Sequence, residues 1–178
     1  MSSGANSRSA QNRSRDDGDS RPGWAETVEL RTVDAGGLLR PVTVHLGAPS
    51  VARIALLDGD SLTEFGGADY RDCLTRARRL LEREGRLLCC QGARPNVHPS
   101  GQLLQFCNGR EAYALHPEGR IGPPETVDVF APAPPGDVVS LDDQRAAIIG
   151  AWNARHPANP IRTHPVPGSR NPDPGAPS

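Results

Sequence analysis

The sequence predicts an α+β domain with a mixed or antiparallel sheet and two main helices. Three observations support this class: two alternating apolar segments joined by a turn, one strongly amphipathic segment of helical period, and no regular alternation of strands with helices. The predicted element order is βββαβββα. A doubly wound parallel sheet would need a crossover helix between successive strands, so this order disfavours it.

The first two strands are predicted over residues 26–33 and 38–46, where apolar and polar residues alternate. The sequence Asp-Ala-Gly-Gly at 34–37 is typical of a hairpin turn. Pro41 has no N–H group to donate to a strand ladder, so we expect it at an edge or a bulge. Residues 51–57 are predicted to form a third strand, which a polar turn joins to the first helix.

The first helix is predicted over residues 68–84 and ends at Gly85. Its apolar positions follow helical spacing and comprise Tyr70, Cys73, Leu74, Ala77, Leu80 and Leu81. The polar face carries Arg71, Asp72, Arg76, Arg79 and Arg83. Because acids alternate with arginines here and no aromatic platform accompanies them, the pattern is typical of a solvated helix and does not predict nucleic-acid binding.

A second helix is predicted to begin at Ser140, which precedes Asp143 at capping-box spacing. It carries Leu141, Ile148, Ile149 and Trp152. Further short strands are predicted over residues 86–90, 102–106, 111–115 and 126–130, and a long loop is predicted between the first two of these.

The material that can pack lies in the middle of the chain, because all seven aromatic residues fall between Trp24 and Trp152. Residues 1–23 are polar and residues 157–178 are rich in proline, so both are predicted to be disordered tails. Residues 24–156 are predicted to form a single α+β domain, of a size that buries about two-thirds of its unfolded-chain surface.

Charge and composition exclude several classes of function. The net charge of −1 favours neither nucleic acid nor an anionic membrane as a partner. All 20 basic residues are arginines, so P-loop, Schiff-base and serine-lysine chemistry is impossible. Without a signal-peptide core or a membrane-length apolar run, the chain is expected in the cytoplasm with its cysteines reduced.

The stretch Gly59-Asp60-Ser61-Leu62 after an apolar run resembles the nucleophile block of GDSL (SGNH) serine esterases. That resemblance implies Ser61 as nucleophile and His156 as base, with Asn153 in the position where the family places the orienting carboxylate. An amide does not stabilise an imidazolium as a carboxylate does. The family also has a doubly wound sheet, which this sequence does not predict. A small serine esterase is therefore the alternative hypothesis.

The cysteines suggest a metal or thiol site only weakly. Cys89 and Cys90 are neighbours in a predicted strand, so their side chains would point to opposite faces. Their spacing to His98 and Cys107 fits no common zinc module. We therefore predict core thiols, with no metal and no cofactor.

The predicted loop "QGARPNVHPSG" is the densest polar segment, and long loops often carry function. Its candidate contact residues are Arg94, Asn96, His98 and Ser100. Its Gly-x-Arg-x-Asn and Pro-Ser-Gly runs resemble small uncharacterised bacterial proteins of the actinomycete type, a resemblance that implies no activity. The sequence favours a non-enzymatic binding or accessory protein with a protein partner, in the manner of toxin-immunity proteins.

Overall fold

The alternating segments at the start of the chain form an antiparallel sheet. A computed structural model describes residues 23–98, 103, 106–115 and 125–162. The five-stranded sheet has the order β4-β3-β2-β1-β5, with every neighbouring pair antiparallel. Its strands are β1 (Glu26–Asp34), β2 (Leu39–Leu46), β3 (Arg53–Asp58), β4 (Ser61–Gly66) and β5 (Arg86–Leu88).

The hairpin of β1 and β2 forms as predicted. Asp34 Oδ1 accepts hydrogen bonds from the main-chain N–H groups of Gly36 and Leu38, both at 2.9 Å, and Gly37 adopts a φ of +81°. Pro41 pairs with Arg31 in the part of β2 that β3 does not reach. Its missing N–H group therefore disrupts no ladder.

One strand was not predicted. Ser61 does not begin a polar turn into the helix; it begins β4, which pairs with β3 through a two-residue turn at Gly59 and Asp60. Gly59 has a φ of +58°, as such tight hairpins require. β4 lies at the edge of the sheet and its side chains are exposed or half-buried, so it lacks the apolar signal of a central strand.

Helix α1 (Tyr70–Arg83) covers the buried face of this sheet. Asp69 caps its N-terminus by accepting a hydrogen bond from Asp72 N at 2.8 Å, and Gly85 follows its end with a φ of +74°. The predicted stripe is buried except at Leu80, and one charged residue, Arg78, is buried with it.

The second sheet contains β6 (Val97–His98), β7 (Glu111–Ala114) and β8 (Glu125–Asp128), all antiparallel. The prediction of a strand over residues 102–106 is wrong at the two residues of this range that the structure describes. Leu103 and Phe106 are helical, and Leu103 O accepts a hydrogen bond from Cys107 N at 2.9 Å. The core continues from the large sheet to this region, because Tyr70 meets Phe130 edge-to-face at 6.0 Å.

Helix α2 (Leu141–Arg155) begins at the predicted cap: Ser140 Oγ accepts a hydrogen bond from Asp143 N at 3.1 Å. Together these elements confirm the predicted α+β class. No helix in the described part of the chain is long and apolar enough to cross a membrane.

The predicted tails lie almost entirely outside the described residues. The exceptions are Gly23 and residues 157–162. Ile161 is joined to α2 because its N–H group donates to Asn153 Oδ1 at 2.7 Å. The first residues of the predicted C-terminal tail therefore fold back on the end of the helix.

Candidate binding surface

The structure does not assemble the residues of the esterase hypothesis. Ser61 is exposed at the start of β4, opposite Asp58. His156 is the C-cap of α2; its Nδ1 lies 3.1 Å from Trp152 O, and its ring stacks on Trp152 with centroids 3.9 Å apart. Within the described ranges, no hydrogen bond joins Ser61 to His156.

Asn153 is also occupied elsewhere. Its amide oxygen accepts from Ile161 N at 2.7 Å and its amide nitrogen donates to Ile161 O at 3.1 Å. Both polar ends of this side chain thus hold the segment that follows α2. A residue engaged in this way does not orient the imidazole of His156.

The predicted loop is a structured connector. A 3-10 turn at Gln91–Ala93 is followed by strand β6. Arg94 Nη1 donates to Gln91 Oε1 at 2.8 Å, and Asp137 Oδ2 lies 3.8 Å from Arg94 Nε. Asn96 Nδ2 donates to Leu115 O at 2.8 Å. Two of the predicted contact residues therefore hold the loop in place.

His98 is placed differently from these two. It is half-buried, and burial lowers the pKa of its imidazole, with the positive charges of Arg155 and Arg71 lowering it further. These two charges come from the first turn of α1 and the last turn of α2. Ser100, the fourth predicted contact residue, lies outside the described residues.

A buried polar network fixes α2 to the loop and to α1. Arg78, whose side chain is 3% exposed, donates to Gly92 O at 3.1 Å, to Gln144 Oε1 at 2.6 Å and to Val139 O at 2.8 Å. Gln144 Nε2 donates to Gly92 O at 2.9 Å and to Arg94 O at 2.7 Å. Each buried donor thus has an acceptor, as buried polar groups require.

The two helices run antiparallel. The carboxylate of Glu82 near the end of α1 accepts from Leu141 N at the start of α2, at 3.1 Å. At the other end of the pair, the positive charges of Arg71 and Arg155 both lower the pKa of His98. Gln144 is the buried residue of α2, so polar contacts and not an apolar stripe anchor this helix.

The last two turns of α2 consequently leave apolar side chains uncovered. Ile148 and Ile149 are half-buried and Trp152 is 45% exposed. We call these three residues, with Arg155 in the last turn and the adjacent His98, the α2 surface. Exposed clusters of apolar residues with tryptophan and arginine are typical of protein interfaces.

The thiols do not form a common site. Burial raises the pKa of Cys89 and raises that of Cys90 to about 12, so both are protonated at neutral pH. Cys107 donates to Glu111 Oε2 at 3.3 Å. Among the residues that the structure describes, no three His, Cys, Asp or Glu side chains are grouped to hold a metal ion.

Cys89 lies beside a cleft of about 480 Å³ on the outer face of the large sheet. Prolines and aliphatic residues form most of its wall, with Arg31 and Glu29 as its charged groups. Its volume is that of a small-molecule pocket. Cys89 brings no reactive thiolate to it, because its pKa is raised.

Sequence reasoning missed Arg78, Gln144 and the exposure of Trp152. A positional signal existed for Arg78, which lies four residues after Leu74 and three before Leu81, within the apolar stripe. For α2, the apolar residues are distributed around the helix without one dominant face, a pattern that does not predict burial against a single neighbour.

In comparisons with known proteins, no family model matches the chain. No curated protein matches it either.

Proposed function

We propose that the chain is a non-enzymatic binding or accessory protein that acts in the cytoplasm and recognises a protein partner through the α2 surface. The observation that carries this proposal is the 45% exposure of Trp152, beside the half-buried Ile148 and Ile149, on a helix that buried hydrogen bonds hold in place. A helix that is fixed in place but leaves apolar residues uncovered supports partner binding, since burying them removes apolar area from water.

The composition of the α2 surface fits a protein partner. Tryptophan and arginine are the residue types most often found at interface hot spots, and here Trp152 and Arg155 lie three positions apart on one side of the helix. The positive charge of Arg155 also acts on His98. An immunity-protein-like role, in which binding blocks another protein, is the narrower form of this proposal.

Photo-crosslinking tests the surface directly. Benzoylphenylalanine would replace Trp152 in one variant and Leu38, which is 55% exposed at the tip of the first hairpin, in a control. We expect a protein of defined mass to be captured from bacterial extract at position 152 and not at position 38. Adding Ile149→Glu to the first variant should abolish capture, because a charge would enter the buried contact.

Equal capture at both positions, or capture that persists in the Ile149→Glu background, would refute the α2 surface. The fold of each variant is checked by its unfolding midpoint, which should change little because the altered side chains are exposed or half-buried.

The esterase hypothesis makes a separate prediction. If Ser61 were a nucleophile and His156 its base, purified protein would hydrolyse a short-chain nitrophenyl ester, and Ser61→Ala and His156→Ala would each abolish turnover. We expect wild type and both variants to give the same background rate, because His156 is bonded to and stacked on Trp152. Turnover that depends on both residues would instead support an enzyme.

A further inference from the structure

The groove between α1 and α2 is lined by an unusual number of cations. It encloses about 360 Å³ and receives four arginines, Arg71, Arg78 and Arg79 from α1 and Arg145 from α2. The whole protein carries a net charge of −1, so this concentration of positive charge is local.

Helix geometry explains how the arginines converge. Arg78 and Arg79 follow Arg71 by seven and eight positions, so Arg71 and Arg79 are separated by about 12 Å along the axis of α1. Residues at these spacings lie on one side of a helix. Arg145 follows Gln144, the residue that fixes α2 to Arg78, so it lies on the facing wall of the groove.

Three of the four groove arginines, Arg71, Arg79 and Arg145, differ from other arginines of the same region in forming no ion pair among the described residues. Arg76 forms an ion pair with Asp72 at 3.0 Å, and Arg86 forms one with Asp58 at 2.5 Å. On the polar face of α1 outside the groove, Arg76 is therefore neutralised, whereas Arg83 is exposed and has no ion pair among the described residues.

In the described part of the chain, Arg71, Arg79 and Arg145 have no carboxylate within the 4.0 Å of an ion pair. Asp142 also lines the groove, and Asp69 acts on Arg71 at longer range. Three guanidinium groups therefore face one lining carboxylate, which leaves two positive charges without compensation.

Arg78 contributes charge from beneath the groove. Its donors are used by Gly92 O, Val139 O and Gln144, and its nearest carboxylate, that of Glu82, lies 3.6 Å away and also accepts from Leu141 N. A buried cation in a concave site strengthens the positive potential that a ligand meets.

We infer that this groove binds a small molecule that carries phosphate, with Arg71, Arg79 and Arg145 contacting the phosphate oxygens. A phosphate monoester carries about −1.5 to −2 charges at neutral pH, which matches the uncompensated charge, and guanidinium groups bind it in bidentate fashion. The volume suits a small molecule. Among the residues that the structure describes, no aromatic side chain lines the groove, whereas single-stranded nucleic acids need such platforms for base stacking. The groove borders the α2 surface, since Ile148 belongs to both, but phosphate binding there does not require the proposed protein partner.

Calorimetric titration with pyrophosphate tests this inference. Arg79→Gln with Arg145→Gln removes two groove charges, and Arg40→Gln with Arg83→Gln removes two exposed arginines that do not line the groove. Both double variants have the same net charge. We expect the groove variant to bind about 100-fold more weakly than wild type, at about 10-fold for each lost charged hydrogen bond, and the control variant to bind normally.

The pKa of His98 provides a second measurement of binding. Because the charge of Arg71 depresses the pKa of His98, pyrophosphate bound at Arg71 should raise that pKa in an NMR titration. Absence of pyrophosphate binding at millimolar concentration would overturn the inference, as would equal weakening in both double variants. Stronger binding of a hexaglutamate peptide or of an oligonucleotide than of pyrophosphate would also overturn it.

Discussion

The two helices of this protein are attached in opposite ways. α1 buries an apolar stripe that includes Cys73, Leu74 and Leu81 against the large sheet. α2 is of similar length but buries only Gln144, and hydrogen bonds to Arg78 and Glu82 hold it. Apolar packing makes α1 part of the core. Polar anchoring lets α2 keep apolar residues at the surface, where a partner can reach them.

The two helices should differ most in the loss of stability when an apolar side chain is shortened to alanine. Leu81→Ala in α1 should lower the free energy of unfolding by about 3 kcal/mol, because a side chain that is 1% exposed leaves a cavity in the core. Ile149→Ala in α2 should cost less than about 1 kcal/mol. Urea denaturation of both variants measures the difference, and equal losses would mean that α2 is a core helix.

The next effect concerns the polar anchor of α2. Arg78→Leu should destabilise the protein by about 3 kcal/mol, since it leaves Val139 O and Gln144 Oε1 without their donor and removes one of the two donors to Gly92 O. Arg79→Leu, one position later and exposed, should change stability by no more than about 0.5 kcal/mol. If both variants unfold at the same urea concentration, the network contributes nothing beyond surface charge.

A smaller effect is expected at the start of α2. Ser140→Ala removes the acceptor for Asp143 N and should cost about 1 kcal/mol. Because α2 buries little apolar area besides its hydrogen bonds, helical content monitored by circular dichroism should fall before the rest of the domain unfolds. Ser140→Asp, which also caps well, should restore both signals. Loss of helix in the Asp variant as well would argue against capping as the cause.

The smallest effect is the pH dependence from His98. Its pKa in the folded protein is below the usual 6.5, because burial and then Arg155 and Arg71 disfavour the charged form. The unfolded chain therefore takes up the proton first, and stability should fall as the pH drops below about 6.5 through the folded pKa. Unfolding measured at pH 7.5 and 5.5 should show a smaller fall for His98→Gln than for wild type. An identical fall in both proteins would show that His98 does not contribute to the pH dependence of stability.

Much of the fold was predictable because local patterns and tertiary structure agree. The hairpin of β1 and β2 and the stripe and stop of α1 follow from periodicity and turn residues. β4 was missed because an edge strand carries mixed polarity; its turn at Gly59 and Asp60 was the available signal.

The site was less predictable than the fold. Arg94 and Asn96 were predicted as contact residues from polarity alone, yet Arg94 Nη1 and Asn96 Nδ2 donate to Gln91 and Leu115 within the chain. The partner of Arg78 is Gln144, 66 positions away, so the network depends on how the helices pack. Trp152 is exposed because no other element of the fold covers it, and a local sequence pattern does not carry that information.

Amide hydrogen exchange of α1 and α2, measured with and without the protein captured at position 152, tests whether the two helices are attached in opposite ways. We expect α2 to exchange faster than α1 in the free protein, because little buried apolar area restrains its opening, and we expect the complex to protect residues 148–155. Equal protection of the two helices in the free protein, with no change on binding, would contradict this difference in attachment.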